Sequence, residues 1–329
     1  MNSRSSFLHL HIYCTRFSVL SYCDTRRYIS HLRSYSTSTY QHPRLQPYST
    51  SPKGGSMMAT NTAQTGAGQE TIDPAVVVTP KISEPWKVEK VLTTIHPAPP
   101  AEGASSPVPF FHIIERLKTS KREGWRRFGI NRGESIADHM YRMSIMTLVC
   151  PPSLKPKLDL HKCMKMCLIH DMAESLVGDI TPVDGIPKPE KSRREAETMD
   201  YVSQKLLGNV YGGLAAREIR DIWQEYEDSK TLDSLFVHDL DKIELLSQMV
   251  EYEKRVDKRL DLGEFAYVAT KVVLPETQEW ANELLKERDA FWGPRGHVHG
   301  EAGVDGGVKE EKFKQQDAYY AQEDTKKQA

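Results

Sequence analysis

Two histidines and two aspartates in the middle of the chain have the types and spacing of a metal-binding set. His139 comes first, the adjacent pair His170 and Asp171 follows, and Asp241 comes last. Two imidazoles and two carboxylates suit a divalent cation that activates water. Adjacent helical residues point about 100° apart, so His170 and Asp171 reach one ion only at a seam between helices. The pattern therefore predicts an all-α metal site, with His139 and Asp241 on neighbouring helices.

Other residues of the same types have a simpler interpretation. We interpret His161 and His238 as ordinary partly buried histidines. Cys163 and Cys167 lie four residues apart on a predicted helix. We expect them to be buried packing residues, because unpaired cysteine is among the most buried residue types. Periodicity alone does not show whether Asp239 or Asp241 is the second carboxylate ligand.

Helical periodicity dominates the region that carries these residues. Ser135, with Asp138 three positions later, predicts a capped helix start just before His139. Period-two strand patterns and internal repeats are absent. We therefore predict an all-α helical bundle. Apolar spacing predicts its later helices over residues 159–177, 190–207, 214–226, 231–255 and 274–292.

The first 56 residues differ in composition from the rest of the chain. Residues 1–56 are rich in arginine and serine, and Asp24 is their only acidic residue. This composition is typical of a mitochondrial transit peptide. The alternative is that translation starts at Met57 or Met58, which would give a cytoplasmic protein.

The remaining segments follow from composition and periodicity. Residues 57–106 are rich in Ser, Thr, Pro, Gly and Ala, which predicts a disordered, low-complexity linker with a short extended piece at residues 86–88. We predict the folded domain over residues 107–292. Residues 293–329 read as a charged, disordered tail.

The overall charge and apolar content exclude some classes of partner. The 329 residues carry a formal net charge of -1, which gives no general attraction to nucleic acid or to a membrane surface. No apolar run approaches the roughly 18 residues of a membrane span. We expect neither a nucleic acid nor a membrane partner.

The residues around the four ligands resemble those of the HD-domain metal-dependent phosphohydrolases. Residues 134–143 (ESIADHMYRM), 170–182 (HDMAESLVGDITP) and 251–253 (EYE) are similar to the 5′-deoxynucleotidase branch, in particular its eukaryotic HD-domain-containing members. The resemblance covers about residues 109–292. It implies an HD-domain bundle, a homodimer, and Asp241 rather than Asp239 as the last ligand.

Two acids and one carbonyl near the central motif gain roles from this resemblance. Glu174 lies one helical turn from His170 and Asp171, where a carboxylate can orient water or take its proton. Asp179 follows the helix-ending Gly178. The resemblance implies that Glu174 and Asp179 are essential acids, and that with the carbonyl of Ile180 they hold a second Mg²⁺. It implies Mn²⁺, Co²⁺ or Mg²⁺ at the first site.

A basic loop before His139 suggests where a substrate would bind. Trp125, Arg126, Arg127 and Arg132 crowd into this loop, and guanidinium groups bind phosphate oxygens well. The resemblance implies that Trp125 packs near the sugar C2′ and disfavours a ribose hydroxyl. Gly124 stands where bacterial relatives have an arginine, so which arginine binds phosphate is left open. A solvated basic loop is the alternative.

Together these features predict a 5′-deoxynucleotidase that hydrolyses deoxyribonucleoside 5′-monophosphates. One alternative is another HD-domain phosphohydrolase, either a cyclic-nucleotide phosphodiesterase or a nucleoside polyphosphate hydrolase. A second is a non-catalytic, metal-stabilised interaction scaffold. Loss of Glu174 or Asp179 would favour the scaffold, and both are present.

Overall fold

The structure, a computed structural model, describes residues 85–257 and 260–293, together with Lys314 and Ala318. The predicted transit peptide, the linker before residue 85 and most of the predicted tail lie outside the described residues. Within the described part, the chain forms helices and no strand, apart from one isolated antiparallel bridge between Lys121 and Ser135. The predicted all-α class is confirmed.

Eleven α-helices make up the described domain. They are α1 (Val88–Leu92), α2 (Val108–Ile114), α3 (Arg116–Thr119), α4 (Glu123–Arg126), α5 (Ile136–Met146), α6 (Leu160–Ile169), α7 (Glu174–Val177), α8 (Lys188–Tyr201), α9 (Leu214–Asp228), α10 (Leu232–Arg255) and α11 (Pro275–Trp292). The 3₁₀ or π segments are Thr147–Val149, Lys155–Lys157, Val202–Leu206, Val210–Gly213 and Gly263–Lys271.

Helix α10 is the central element and belongs to two hydrophobic cores. Phe236, Val237 and Leu240 in its first half pack into the larger core, which also holds residues of α5, α6 and α8. Leu246 and Met249 in its second half pack into a smaller core with Trp125 and α11. Asp241 therefore lies on α10 between the parts of the helix that enter the two cores.

Side-chain caps define the starts of the helices that carry predicted ligands. The Ser135 hydroxyl accepts from the Asp138 N–H at 3.1 Å, and the Asp138 carboxylate accepts from the Ser135 N–H at 2.8 Å. This is the predicted capping box, and it fixes where α5 begins. Thr231 and Ser234 form a second such box at the start of α10. The predicted long helix over residues 231–255 is thereby confirmed.

The prediction of one continuous helix over residues 159–177 is wrong in the middle of that range. Helix α6 ends at Ile169, and α7 begins at Glu174. Between them the Met172 N–H bonds to the Ile169 carbonyl and the Glu174 N–H to the Asp171 carbonyl, each at a spacing of three residues. Such tight turns interrupt an α-helix without interrupting its apolar pattern. His170 and Asp171 therefore lie in a turn between two helices.

The predicted linker also differs from the structure near its end. Trp86 and Val91 are 3% and 0% exposed and belong to the larger core. Lys87 has extended backbone, as predicted, but α1 begins directly after it at Val88, whose N–H bonds to Glu197 on α8 at 3.0 Å. A short apolar cluster in a Pro- and Ser-rich stretch gives too little periodicity to predict this packing. The ordered domain therefore begins before residue 107.

Cys163 and Cys167 are fully buried on α6, which confirms their interpretation as packing residues. Among the described helices, none is both long enough and apolar enough to cross a membrane.

Candidate metal centre

The four predicted ligands converge where α5, the turn after α6, and α10 meet. His139 is completely buried, and its Nε2 lies 3.1 Å from Asp241 Oδ1 and 3.8 Å from Asp171 Oδ2. His170 is 4% exposed, with its Nε2 3.2 Å from Asp171 Oδ2. Interruption of the helix at Ile169 thus brings His170 and Asp171 to the same point.

The tautomers of both histidines suit a metal ion. The Nδ1 of His139 lies 2.5 Å from Glu244 Oε2, and the Nδ1 of His170 lies 2.9 Å from the Cys167 carbonyl. Carboxylate and carbonyl oxygens accept hydrogen bonds, so each Nδ1 carries the proton and each Nε2 lone pair faces the acid pair.

Both Nε2 atoms are buried and have no hydrogen-bond partner. Such atoms are rare in proteins, and a divalent cation between the imidazoles and carboxylates would satisfy them. The residues fit a divalent metal ion.

The electrostatics of the two aspartates agree with this fit. Burial alone would raise the pKa of Asp171 and Asp241, because it penalises the charged form. The neighbouring histidines and Arg122 more than offset burial and hold both pKa values below the usual aspartate range. Both carboxylates are therefore ionised and available as anionic ligands.

Asp239, the alternative to Asp241 as the last ligand, has a structural role instead. Its carboxylate is fully buried and accepts from the Val273 N–H at 2.9 Å, the Leu274 N–H at 2.8 Å and the Thr277 hydroxyl at 2.6 Å. These groups form the start of α11, so Asp239 caps that helix. Of the two other histidines, His238 is partly buried, as predicted, with its Nε2 2.9 Å from the Tyr226 carbonyl, whereas His161 is exposed, so the prediction is wrong for that residue.

Glu244 and Arg142 support the site from behind His139, a role that we did not predict from the sequence. Glu244 is completely buried, and its Oε1 accepts from Arg142 Nε at 2.7 Å. Arg142 also donates to Gln248 at 2.9 Å and to Glu251 at 3.0 Å. Glu244 lies three residues after Asp241, so both face the same side of α10. That spacing is the signal by which Glu244 could have been found.

Glu174 and Asp179 line the pocket in front of the four ligands. Glu174 is 1% exposed at the start of α7, and its Oε2 is buried without a hydrogen-bond partner. Burial, with Asp171 and Asp179 nearby, raises its pKa well above the usual glutamate value. Gly178, at φ 81°, ends α7 in a conformation that favours glycine and turns the chain toward Asp179. Asp179 Oδ2 accepts from the Glu123 N–H at 2.6 Å, at the start of α4.

The structure brings part of the predicted substrate loop to the pocket. Trp125 and Arg127 line it. Arg126 and Arg132 do not: Arg126 pairs with Glu123 at 2.9 Å on the outer side of the short α4, and Arg132 is exposed. For these two residues the structure differs from the prediction, because α4 turns the loop and directs successive side chains apart.

Trp125 is held rigidly at the pocket wall. It is 1% exposed and packs against Tyr252 and Phe265, with ring centroids at 5.3 and 4.5 Å. Its indole Nε1 donates to Glu134 Oε1 at 2.7 Å. One part of the ring is therefore fixed by a hydrogen bond while another part faces the pocket.

Arg122 is a pocket residue that sequence reasoning missed. Its Nη1 lies 3.2 Å from Asp171 Oδ2, and its side chain is 13% exposed. Burial alone would lower its pKa, but Asp179 and Asp171 raise the pKa well above the usual arginine value. Its guanidinium is therefore a permanent positive charge beside the metal ligands. Arg122 lies in the predicted basic loop, three residues before Trp125, and this position is the sequence signal by which it could have been found.

Comparison with known proteins agrees with this geometry. A family model described as "HD domain" matches residues 114–280, which include all four ligands. The 5′-deoxynucleotidase hdd1 of Schizosaccharomyces pombe is 43% identical over 185 residues, covering 56% of this chain and 91% of that protein. The 5′-deoxynucleotidase YGK1 of Saccharomyces cerevisiae is 38% identical over 213 residues, covering 65% and 94%. The 5′-deoxynucleotidase HDDC2 of Homo sapiens is 38% identical over 187 residues, covering 56% and 88%.

Proposed function

The chain belongs to the HD-domain 5′-deoxynucleotidase family, and from this we infer that it hydrolyses deoxyribonucleoside 5′-monophosphates to deoxynucleosides and phosphate. It is a phosphoric monoester hydrolase that uses a divalent metal ion. The observation that carries this inference is the pair of buried, unpartnered Nε2 atoms of His139 and His170, which face two ionised aspartates.

The metal ion is assigned to His139, His170, Asp171 and Asp241. When bound there, Mn²⁺, Co²⁺ or Mg²⁺ would neutralise phosphate charge and make an attacking water more acidic. The mixed nitrogen and oxygen ligand set accepts each of these ions, so the choice among them is tested by titration.

Glu174 is the proposed general base. Its buried Oε2 has no hydrogen-bond partner, so it is available to accept a proton from a water in the pocket. Its raised pKa makes the ionised carboxylate a stronger base than an ordinary glutamate. Asp179 is proposed as the second catalytic acid, and it also fixes the start of α4 through the Glu123 N–H.

Substrate binding is assigned to the part of the pocket wall that Arg122, Trp125 and Arg127 form. Arg122 and Arg127 supply positive charge for the phosphate, and both line the pocket. Trp125 is proposed to pack against C2′ of the sugar, where a ribose hydroxyl would have to displace the indole. Deoxyribonucleotides are therefore the expected substrates over ribonucleotides.

The test uses the full chain with Mn²⁺, Co²⁺ or Mg²⁺ against mono-, tri- and cyclic nucleotides. We expect hydrolysis of deoxynucleoside monophosphates, and expect His170→Ala and Asp171→Ala to lose metal and activity together. His161→Ala is the matched control, since His161 is exposed on α6, the helix that ends directly before His170. Full activity and unchanged metal content in either ligand variant would refute the site assignment. Preferred cleavage of tri- or cyclic nucleotides would refute the substrate class.

A homodimer is proposed through the exposed side of α5 and the turn that follows it. Tyr141, Ile145, Leu148 and Val149 are 65%, 46%, 64% and 68% exposed, and their spacing of three to four residues places them on one stripe. We expect Leu148→Asp to shift the mass measured by light scattering to that of a monomer. Tyr211→Asp, at an exposed residue outside this stripe, is the control.

Delivery to mitochondria is proposed for the chain that starts at Met1, and a cytoplasmic location for one that starts at Met57 or Met58. Imaging of the two forms fused to a fluorescent protein distinguishes them. We expect no nucleic acid partner and no membrane partner.

A further inference from the structure

Three apolar side chains line the pocket in front of the metal ligands. They are Leu245, Phe265 and Val268, and each is half-buried. All three also pack against the smaller hydrophobic core, to which Trp125 belongs. One part of each side chain therefore packs against the core while another part faces the pocket. We call these three residues the apolar wall.

The local structure places the apolar wall next to the metal ligands and to Trp125. Phe265 and Val268 are three residues apart in the 3₁₀ segment that follows α10, and a 3₁₀ helix has about three residues per turn, so their side chains lie on one face. Leu245 follows the metal ligand Asp241 by one helical turn on α10. The ring centroids of Phe265 and Trp125 lie 4.5 Å apart. The wall therefore extends from the helix of a metal ligand to the indole.

Contacts with α4 and with the residue after it hold Phe265 at the pocket. Glu264, directly before Phe265, forms an ion pair with Arg127. Gly124 faces the ring, and a Cβ at this position would lie 3.3 Å from Phe265 Cε1 and 3.5 Å from Cζ. The first distance is shorter than an ordinary van der Waals contact, so the lack of a side chain at Gly124 allows the ring to pack against α4. Phe265 is thus fixed beside Trp125, which lies on the same helix as Gly124.

We propose that the apolar wall is the surface on which the nucleobase of the substrate stacks, with Phe265 as its main contact. This rests on the proposed function, in which Trp125 packs against C2′ of the sugar. The base is bonded to C1′, the neighbour of C2′, so it lies beside Trp125, where Phe265 is the adjoining pocket-lining ring. Aromatic side chains stack on purines and pyrimidines alike, because every base has a π-face. The wall therefore adds affinity for a base without reading its edge.

The experiment compares dAMP and dTMP with 1,2-dideoxyribose 5-phosphate, which keeps the phosphate and the sugar ring but has no base, on the full chain with Mn²⁺. We expect kcat/KM of the parent to be about 5- to 100-fold higher for both nucleotides, the range that stacking of one base contributes. Phe265→Ala should remove most of this advantage, mainly through a higher KM for the nucleotides. Tyr267→Ala is the matched control and should keep the parent ratio, because Tyr267 lies on the same segment and its ring contacts Lys271 instead of the pocket.

Two results would overturn the proposal. One is an equal kcat/KM for the nucleotides and the abasic compound in the parent, since the base would then contribute no binding. The other is an equal fall for the nucleotides and the abasic compound in Phe265→Ala, because the ring would then act on the fold or the sugar. If Phe265→Ala shows no cooperative thermal transition, Phe265→Leu, which leaves a smaller cavity, takes its place, and the parent comparison still decides.

The outcomes also separate the apolar wall from the proposed function. Hydrolysis of all three compounds with equal kcat/KM would refute the base-stacking role and leave the proposed function intact. If the parent hydrolyses none of them, the proposed function is refuted, and the dissociation constants of the same compounds for the Mn²⁺-loaded parent are measured by calorimetric titration. Tighter binding of dAMP and dTMP that is lost in Phe265→Ala would then support the wall, whereas equal dissociation constants would overturn it.

Discussion

Replacing Glu244 should weaken metal binding at a residue that does not contact the metal. Glu244 accepts a 2.5 Å hydrogen bond from His139 Nδ1 inside a fully buried site. A hydrogen bond to a charged group contributes about 1.5–3 kcal/mol. Glu244→Ala removes it entirely, which corresponds to a loss of about 10- to 100-fold in Mn²⁺ affinity at about 1.4 kcal/mol per tenfold.

Glu244→Gln should have the smaller effect. The amide oxygen still accepts from His139, but a neutral acceptor gives roughly half the strength of a charged one. Its NH₂ group then faces Arg142, which retains Gln248 and Glu251 as partners. We therefore expect a loss of about tenfold or less for Glu244→Gln, measured by calorimetric titration of Mn²⁺ into protein stripped of metal.

The matched control is Glu251→Gln, because Glu251 accepts from Arg142 at 3.0 Å and has no described contact with His139. Its Mn²⁺ affinity should equal that of the parent. Parent-like affinity in Glu244→Ala would refute the orienting role of Glu244. Equal losses in Glu244→Gln and Glu251→Gln would show that Arg142, rather than the bond to His139, transmits the effect.

Three further results are expected. Glu174→Gln should retain the ion at the four-ligand site and lose about 10²–10⁴ in kcat, and a loss of only a few fold would show that Glu174 is not the base. Trp125→Ala should reduce the preference for dAMP over AMP in kcat/KM, whereas an unchanged ratio would move the discriminating contact elsewhere. Glu253→Ala should lower the free energy of unfolding by about 3–5 kcal/mol in urea titration. It removes the carboxylate that pairs with buried Arg288 at 2.9 Å and that also accepts from the Leu262 N–H and the Trp292 indole, while Asp261 stays paired with Arg288 at 2.7 Å; a change below about 1 kcal/mol would contradict this.

The parts of the site that depend on local sequence were predictable. Ser135 and Asp138 are three residues apart and cap each other, so the start of the His139 helix follows from the sequence alone. The long helix of Asp241 follows from apolar periodicity and from the cap at Thr231. In both cases the residues that determine the helix lie within it or directly before its first residue.

The parts that depend on contacts between distant residues were not predictable. The turn at His170 keeps the apolar pattern of a continuous helix, so periodicity could not reveal it. Arg122 reaches Asp171 across 49 residues, while Arg126 turns outward from the same loop. Composition marks that loop as basic but does not say which guanidinium faces the ligands. Trp86 is buried through contacts made with α8 and not through its own segment.

The cap that Asp239 provides for α11 sets a limit on how short the catalytic domain can be made. Asp239 and the metal ligand Asp241 lie two residues apart on α10, and the first accepts three hydrogen bonds from residues 273–277. A chain cut before residue 273 would leave the buried Asp239 carboxylate without these three donors, two residues from Asp241. Such truncation would disturb the helix that presents Asp241, although α11 supplies none of the four ligands. The smallest autonomous enzyme must therefore extend through α11, and a fusion joint or circular permutation placed between α10 and α11 should impair metal binding as well as folding.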